Sequence, residues 1–457
     1  MTPGPRAGDR LPLRAIELDL EGRGVGEDAG IEIHADGLLP GEEADVRIDQ
    51  VSRHAPHAFG RVDGDLRVRS PDRVEPACPP DRCGGCAWQA LSYPAQLEHK
   101  WRRVAHALGG AGVPDAVVPA PAELGYRNKA TYVLAARGGR VALGAYAPRS
   151  HEWVDTTGCR VVHPAIAAAL GPIAGALTAS GLVVHDERAR DGHLRYAVVR
   201  ANRDGQVLVG IVTTSHAPRA ALDGAAGRLV VRDGLRGVVW LPNDATSGAI
   251  LGRQAHLLAG AATLPETIDD IAIDVAIDTF LQVNLSAAEA LYRRLVERVA
   301  PRTGGTTASD GRPAMSALDV YCGIGPIALL LARAGAEVTG IERNPAAVVA
   351  ARAAAARARI ATARFEVAAA AELPALLAGR AFDVVVVNPP RQGLEASVRA
   401  ALAQRPPGTL AYVSCGPDSL ARDLTQLATA GLRPASIEPF DLMPGTGHVE
   451  TLVICRR

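Results

Sequence analysis

The sequence predicts an α/β chain in three parts: a small all-β barrel over residues 1–72, a mixed α+β middle over 73–272, and an open sheet of alternating strands and helices over 273–457. Three observations predict it. The 457 residues exceed what one core holds, since single cores stop growing at roughly 250–300 residues. Short alternating runs broken by glycine fill the N-terminal region, which is barrel text. From Arg312 onward, strand and helix patterns alternate to the C-terminus.

In the first part, Arg14 to Leu20, Ile31 to His34 and Glu43 to Ile48 read as strands, punctuated by Gly22, Gly24, Gly26, Gly30 and Pro40-Gly41. Gly22 to Gly26, with Leu39-Pro40-Gly41-Glu42, resembles the TRAM domain, an OB-like barrel attached to RNA-modifying enzymes. Between Ala15 and Gln50 stand eleven acidic residues against Arg23 and Arg47, a balance that repels phosphate. The next stretch, Val51 to Arg73, is richer in arginine and suits contact with RNA better.

The middle part alternates short strands (Thr131 to Ala135, Tyr196 to Ala201, Gln206 to Val212) with helix. Pro164 to Val184 is a long uncharged run, but it is mostly alanine with Gly171, Pro172, Gly175 and Gly181 inside it, so helix and turn are expected rather than a membrane span. Ser286-x-x-Glu289 reads as a capping box for a helix over Ala287–Ala300. Arg302 to Arg312 reads as a flexible loop, and Ala346 to Arg364 as one helix of biased composition.

Composition narrows the class. Hydrophobic residues make up 48% and charged residues 21%, which is ordinary for a globular chain, while only 4% are aromatic. The core therefore rests on Ala, Val, Leu and Ile. The first ten residues are Gly, Pro and charge rather than an export signal, so a cytoplasmic monomer off the membrane is expected. Forty-nine basic residues balance 49 acidic ones, which removes any global attraction for nucleic acid. Local grip would come from Lys100, Arg102 and Arg103, from Arg127 and Lys129, or from Arg195, Arg200 and Arg203, although a solvated charged face explains each group as well.

Two places carry cofactor chemistry. Ala317 to Tyr321 is a β-rich run followed by Cys322-Gly323-Ile324-Gly325 and an apolar helix from Pro326, the strand, glycine turn and helix that let backbone approach a nucleotide closely. Nineteen residues past Gly323, Glu342 ends the strand Glu337 to Ile341, where an acid can accept from ribose hydroxyls. The helix lacks a third glycine, and Asn388-Pro389-Pro390 follows the strand Phe382 to Val387, so S-adenosylmethionine is favoured over NAD. Elsewhere, Cys78-x4-Cys83-x2-Cys86 with Cys159 offers four thiolates to one metal centre, for which spacing alone favours zinc slightly over iron–sulfur.

The last part also delivers a nucleophile. Ala411-Tyr412-Val413-Ser414-Cys415 is a strand that carries a cysteine to its C-terminal edge, the rim where ligands sit in open α/β sheets. A lone strand cysteine is more often buried and inert, the reading that suits Cys322 and Cys455. Glu450, in Gly447-His448-Val449-Glu450-Thr451, opens the last strand.

Taken with Phe280-Leu281-Gln282-Val283-Asn284, Leu318 to Gly325, Asn388-Pro389-Pro390-Arg391, Tyr412 to Cys415 and Pro444 to Glu450, these segments resemble the RNA 5-methyluridine methyltransferase family of the RumA/TrmA type. The resemblance spans nearly the whole chain and implies a Rossmann-like methyltransferase fold at the C-terminus. It places Gln282, Tyr321, Gly323, Gly325, Glu342 and Asn388 at S-adenosylmethionine, Cys415 as nucleophile and Glu450 as base. The chemistry agrees: carbon 5 of uracil is a weak nucleophile until a thiolate adds to carbon 6, and a base must then remove the carbon 5 proton. The resemblance also turns the cysteine quartet toward a four-iron four-sulfur cluster, although the first gap has four residues where the family usually has five. Asn388 stands where many members have Asp, and Gly445 replaces a usual His or Gln. The implied substrate is RNA, with 23S ribosomal RNA ahead of transfer RNA. An amino-group methyltransferase using Asn388-Pro389-Pro390 and a catalytically silent RNA-binding protein are the competing readings.

Overall fold

The computed structural model describes residues 4–78, 83–245, 249–252, 254–300 and 315–457. Three sheets and one hairpin organise them. The first sheet holds β1 (Arg10–Arg14), β2 (Glu17–Leu18), β3 (Gly24–Asp28), β4 (Ile31–Asp36), β5 (Glu43–Val51) and β6 (His57–Val68), in the order β1-β5-β6-β4-β3-β2. It curls until Ile16 N–H, just past β1, donates to Val25 O of β3 at 2.8 Å. A Cβ on Gly26 would lie 2.4 Å from Arg14 O, so this crossing of backbones admits only glycine. Inside are Leu13, Ile33, Ala35, Val46 and Ile48.

The second sheet is built from β7 (Lys129–Arg137), β8 (Arg140–Tyr146), β9 (Trp153–Asp155), β10 (Leu194–Ala201), β11 (Val207–Thr213), β12 (Leu235–Pro242) and β13 (His256–Gly260). The helices Pro164–Ala179 and Arg219–Val230 bury their apolar residues in the same core as one face of it. The uncharged run is thus a core helix, and no helix among the described residues is long and apolar enough to cross a membrane. The hairpin β14 (Thr263–Ile268) and β15 (Ile271–Ala276) leads into the last part, where Ile268, Ile271, Ile273 and Val275 join its core.

The third sheet contains β16 (Met315–Val320), β17 (Ala336–Glu342), β18 (Ala363–Val367), β19 (Val384–Val387), β20 (Thr409–Ser414), β21 (Arg433–Phe440) and β22 (Glu450–Arg456). Their order is β18-β17-β16-β19-β20-β22-β21, and β22 alone runs against its neighbours. Dinucleotide-binding sheets have the order 3-2-1-4-5-6 without this inserted reversed strand, so the topology separates the chain from that class. The chain leaves β16 toward β17 and β18, then returns to β19 on the other side, which makes the C-terminal ends of β16 and β19 the switch point where open sheets hold ligands.

Local details correct several expectations. Asn284, not Ser286, caps the helix Leu285–Val299, its side chain accepting from Ala287 N–H at 3.3 Å. The Ala346–Arg364 helix ends at Arg357, and β18 begins at Ala363 because Phe365 is needed in the core. The loop expected at Arg302 to Arg312 lies outside the described residues.

The helix Tyr93–Leu108 buries Val104 and Leu108 in the core of the third sheet. From it, Lys100 Nζ donates to Asp441 Oδ1 at 2.6 Å and to Met443 O at 3.1 Å, with both charged side chains fully buried. Removing one partner of a buried pair strands the other charge, at a cost of about 3–5 kcal/mol. Lys100→Met should lower stability to chemical denaturant by about that much. Lys100→Met with Asp441→Leu should lose clearly less than the sum of the two single changes, and additive losses would show that the pair is not coupled.

Candidate functional site

At the switch point the chain leaves β16 through Tyr321, whose φ of +65° is rare for a side-chain-bearing residue. Gly323 and Gly325 follow at +57° and +84°, and a Cβ on Gly325 would meet the Phe365 ring at 2.7 Å. Pro326 then starts the helix Pro326–Arg333 at a position where a backbone N–H is not required. Phe280, Leu281, Asp319, Tyr321, Gly323 and Asn388 are among the residues lining a pocket here. Gln282 is buried directly after Leu281, and its carbonyl accepts from Asn128 Nδ2 at 3.1 Å. Glu342 flanks the glycine turn, with Oε2 accepting from Gly323 N–H at 3.2 Å and Oε1 from Asn344 N–H at 2.9 Å. Of the six sequence-selected residues, Tyr321, Gly323 and Asn388 line this pocket, Gly325 lies in the same turn, Glu342 is hydrogen-bonded to it, and Gln282 follows the lining residue Leu281 in sequence.

The pocket also contains residues that the motifs alone did not single out. Asp319 lies in its wall, buried, with Oδ2 accepting from Ala328 N–H at 3.1 Å and Oδ1 without a partner. Burial pushes its carboxyl up to about 7. An acid inside the otherwise apolar run of β16 was the available signal. Phe280 is 70% exposed at the mouth, an unusual position for one of only five phenylalanines in the chain.

Next to this cleft, β20 ends at Ser414. The antiparallel register pairs Thr409 with Arg456 and ends at Ser414 with Thr451, so Cys415 and Glu450 are the residues just beyond the last β20–β22 pair, close enough for the carboxylate to act on the thiol. Burial pushes the Cys415 thiol up to about 11, the Glu450 carboxylate adds to the rise, and the Arg391 guanidinium opposes it. Glu450 is itself buried, which pushes it up to about 7 against the pull of Arg391. Arg391 Nη2 also reaches within 3.5 Å of His448 Nε2, and burial together with Arg391 lowers that imidazole to about 4, leaving it neutral at pH 7.

Arg391 is held in place by the loop after Asn388-Pro389-Pro390. Ser419 Oγ donates to Arg391 O at 3.0 Å, and a Cβ on Gly416 would lie 2.9 Å from that same carbonyl, so the residue after Cys415 has no room for a side chain. Beneath the loop, the fully buried Asp423 accepts from Leu394 N–H at 2.7 Å and Tyr412 Oη at 2.8 Å, and pairs with Arg422 and Arg399. One carboxylate thus ties the loop to β20 and to the helix Pro417–Ala428.

The four cysteines converge. Cys78, Cys83, Cys86 and Cys159 are free and partly buried, and each of the first three lies within electrostatic reach of Cys159 or of one another. Burial followed by the neighbouring thiols pushes Cys86 up to about 12. The thiols feel one another's charge, with Arg127 and Arg160 opposing it, but no three of their sulfurs come within 4.8 Å of one another. The quartet sits against the loop that carries Glu450. Trp88 N–H donates to Gly445 O at 2.8 Å, Gln96 Oε1 accepts from Gly445 N–H at 2.8 Å, and Arg103 Nη1 donates to Gly447 O at 2.8 Å.

Each of the basic groups has partners within the protein. Lys100 is buried against Asp441, Arg102 pairs with Glu98, and Arg103 holds Gly447. Arg127 donates to Lys129 O, Arg195 pairs with Glu187, Arg200 donates to Thr279 O and Arg203 pairs with Glu289. Lys129 is largely buried, which lowers its ammonium to about 8. Arg102 and Arg203 remain about half exposed, and exposed pairs of this kind are worth only about 0–1 kcal/mol.

Residues 311–424 match a family described as a methyltransferase domain. The chain is 35% identical to an uncharacterized RNA methyltransferase of Thermosynechococcus vestitus, over 98% of both proteins. It is 33% identical to one of Geobacter sulfurreducens, over 99% of this chain and 91% of that protein. It also resembles the crystal structure of Pyrococcus abyssi tRNA (uracil-54, C5)-methyltransferase in complex with S-adenosyl-L-homocysteine, at 26% identity and a TM-score of 0.76, covering 98% of this chain and all of that one.

The opposed influences on Cys415 predict opposite changes in its reactivity. Arg391→Ala should slow alkylation of Cys415 by about threefold or more at a fixed pH below the thiol pKa, because the thiolate fraction falls. Glu450→Gln should speed it. Peptide mass spectrometry of iodoacetamide-treated protein reads both, and equal rates in all three proteins would show that neither charge faces the thiol.

Proposed function

Since the chain belongs to the RNA methyltransferase family, we propose that it methylates carbon 5 of a uridine in RNA, with Cys415 as nucleophile and Glu450 as base. The observation that carries this reading is that Cys415 and Glu450 follow directly on the last β20–β22 pair and, with Arg391, act on one another electrostatically there. S-adenosylmethionine, the methyl donor, would be held by Gln282, Tyr321, Gly323, Gly325, Glu342 and Asn388, with the unpartnered Asp319 oxygen free to accept from it. It supplies an electrophilic methyl group.

The protein's own residues do the rest. The Cys415 thiolate adds to carbon 6, assisted by Arg391, and leaves carbon 5 electron-rich enough to be methylated. Glu450 then takes the carbon 5 proton, and the electrons of that bond expel the thiolate. Phe280, exposed at the cleft mouth, offers a face on which an unstacked base can lie. The amino-group reading fits less well, because Arg391 rather than an aromatic residue follows Asn388-Pro389-Pro390 and its charge faces the thiol.

The N-terminal sheet is read as a TRAM-type barrel. The cysteine quartet would hold a four-iron four-sulfur cluster in preference to zinc, and its chemistry here is structural: it would brace the loop before Glu450. Barrel and cluster together favour 23S ribosomal RNA as substrate. Transfer RNA is the second reading, favoured by the Pyrococcus structure. Mapping 5-methyluridine in ribosomal and transfer RNA from a deletion strain decides between them.

With RNA and S-adenosylmethionine, Cys415→Ala should yield no 5-methyluridine by nucleoside mass spectrometry, and wild-type turnover by that variant would remove the proposal. Glu450→Gln should accumulate methylated RNA still joined to protein. Because burial pushes Glu450 up to about 7, it is protonated below that pH and cannot accept a proton. The rate at which the covalent intermediate resolves in a single turnover should therefore rise with pH to about 7 and level off above. A rate independent of pH across that range would place the base elsewhere. Phe280→Ala should cost about 1–3 kcal/mol in kcat/KM, the range of base–aromatic stacking, and an unchanged value would show that the ring does not meet the base.

A further inference from the structure

On the outer face of the N-terminal barrel, β4 and β6 form the parallel pair of an otherwise antiparallel sheet. Its register aligns Glu32 with His57 and His34 with Phe59, so these four side chains share one face while Ile33 and Ala58 point into the core. Glu32 Oε1 lies 2.9 Å from His34 Nε2 and 3.8 Å from His57 Nε2. The three donor atoms lie within 4.8 Å of one another. Ligands about 2.0–2.1 Å from a tetrahedral zinc ion stand about 3.3 Å apart, a value the two distances bracket.

A second feature is independent of that triad. The other ring nitrogen of His34, Nδ1, meets Asp19 Oδ2 at 2.8 Å. Asp19 is in turn fixed by Arg23, through its backbone N–H at 2.9 Å and Nε at 2.7 Å. Metal-ligating histidines almost always place their second nitrogen against such a carboxylate, which sets tautomer and ring orientation. Phe59 packs on the His34 ring at 5.1 Å and Arg23 covers Phe59 at 4.8 Å, holding the imidazole from the side.

We propose that Glu32, His34 and His57 form a site for a divalent ion of the zinc class, oriented by Asp19 and separate from the cysteine quartet. Imidazole and carboxylate donors in this number suit zinc, cobalt or nickel rather than calcium or magnesium. A bound ion would cross-link β4 to β6 and place positive charge in the stretch from Ala15 to Gln50 where eleven acidic residues face two arginines.

The test uses the full untagged chain with its cysteine centre loaded, dialysed against micromolar Zn²⁺ and assayed for bound zinc and iron. Wild type should hold one more zinc per chain than His57→Ala or Glu32→Gln, with iron equal in all three. Both altered side chains are over 40% exposed, so neither change should unfold the barrel. Asp19→Asn should retain the site but weaken it about 10- to 100-fold. Equal zinc in wild type, His57→Ala and Glu32→Gln would overturn the proposal and leave His34 as an imidazolium bridging Asp19 and Glu32.

Discussion

The loop from Asp441 to Val449 has no regular structure, yet it must deliver Glu450 to a fixed point near Cys415. Lys100 makes this workable. Its ammonium, drawn entirely out of water, has Asp441 and the Met443 carbonyl as partners, so the helix Tyr93–Leu108 and the loop cannot separate without exposing an unpaired charge to a dry interior. Such a pair adds little net stability, because desolvation offsets the attraction. What it supplies is a single allowed arrangement. Arg103, Gln96, Trp88 and the Tyr126 hydroxyl then fasten successive carbonyls and amides of the same loop.

This arrangement links the cysteine quartet to the reacting end of the sheet. Cys86 packs against Gly445, whose φ of +77° and lack of a side chain let the two segments touch. The sheet contributes the other half by inserting β22, reversed, between β20 and β21, which turns two distant segments into direct neighbours. Enclosure raises the pKa of both Cys415 and Glu450, and Arg391 opposes the rise at each.

Periodicity and glycine placement were enough to read the strands and helices of the last part, because each is a buried run bounded by turn residues. Cys415, Glu450 and the switch-point residues were singled out by motifs taken together, since a lone strand cysteine or an isolated glutamate carries no such signal. The charge distribution was not legible. Lys100 reads as one of three basic residues among four and is in fact the most buried of them, since the acid that claims it lies 341 residues away. Asp423 was hidden in the same way, its importance resting on Leu394, Tyr412 and Arg399, which only the fold brings to it. The helix expected to reach Arg364 stopped early because the demand for Phe365 in the core overrode the helical preference of alanine.

The central claim is that Cys415 forms a carbon–sulfur bond to a pyrimidine held in this cleft. RNA in which uridine is replaced by 5-fluorouridine tests it directly, because fluorine at carbon 5 cannot be removed as a proton and the adduct cannot resolve. After incubation with S-adenosylmethionine and digestion, the account predicts a heat-stable conjugate in which a methylated fluorouridine is attached to the peptide containing Cys415. Absence of any adduct, or a conjugate at another residue, would contradict it.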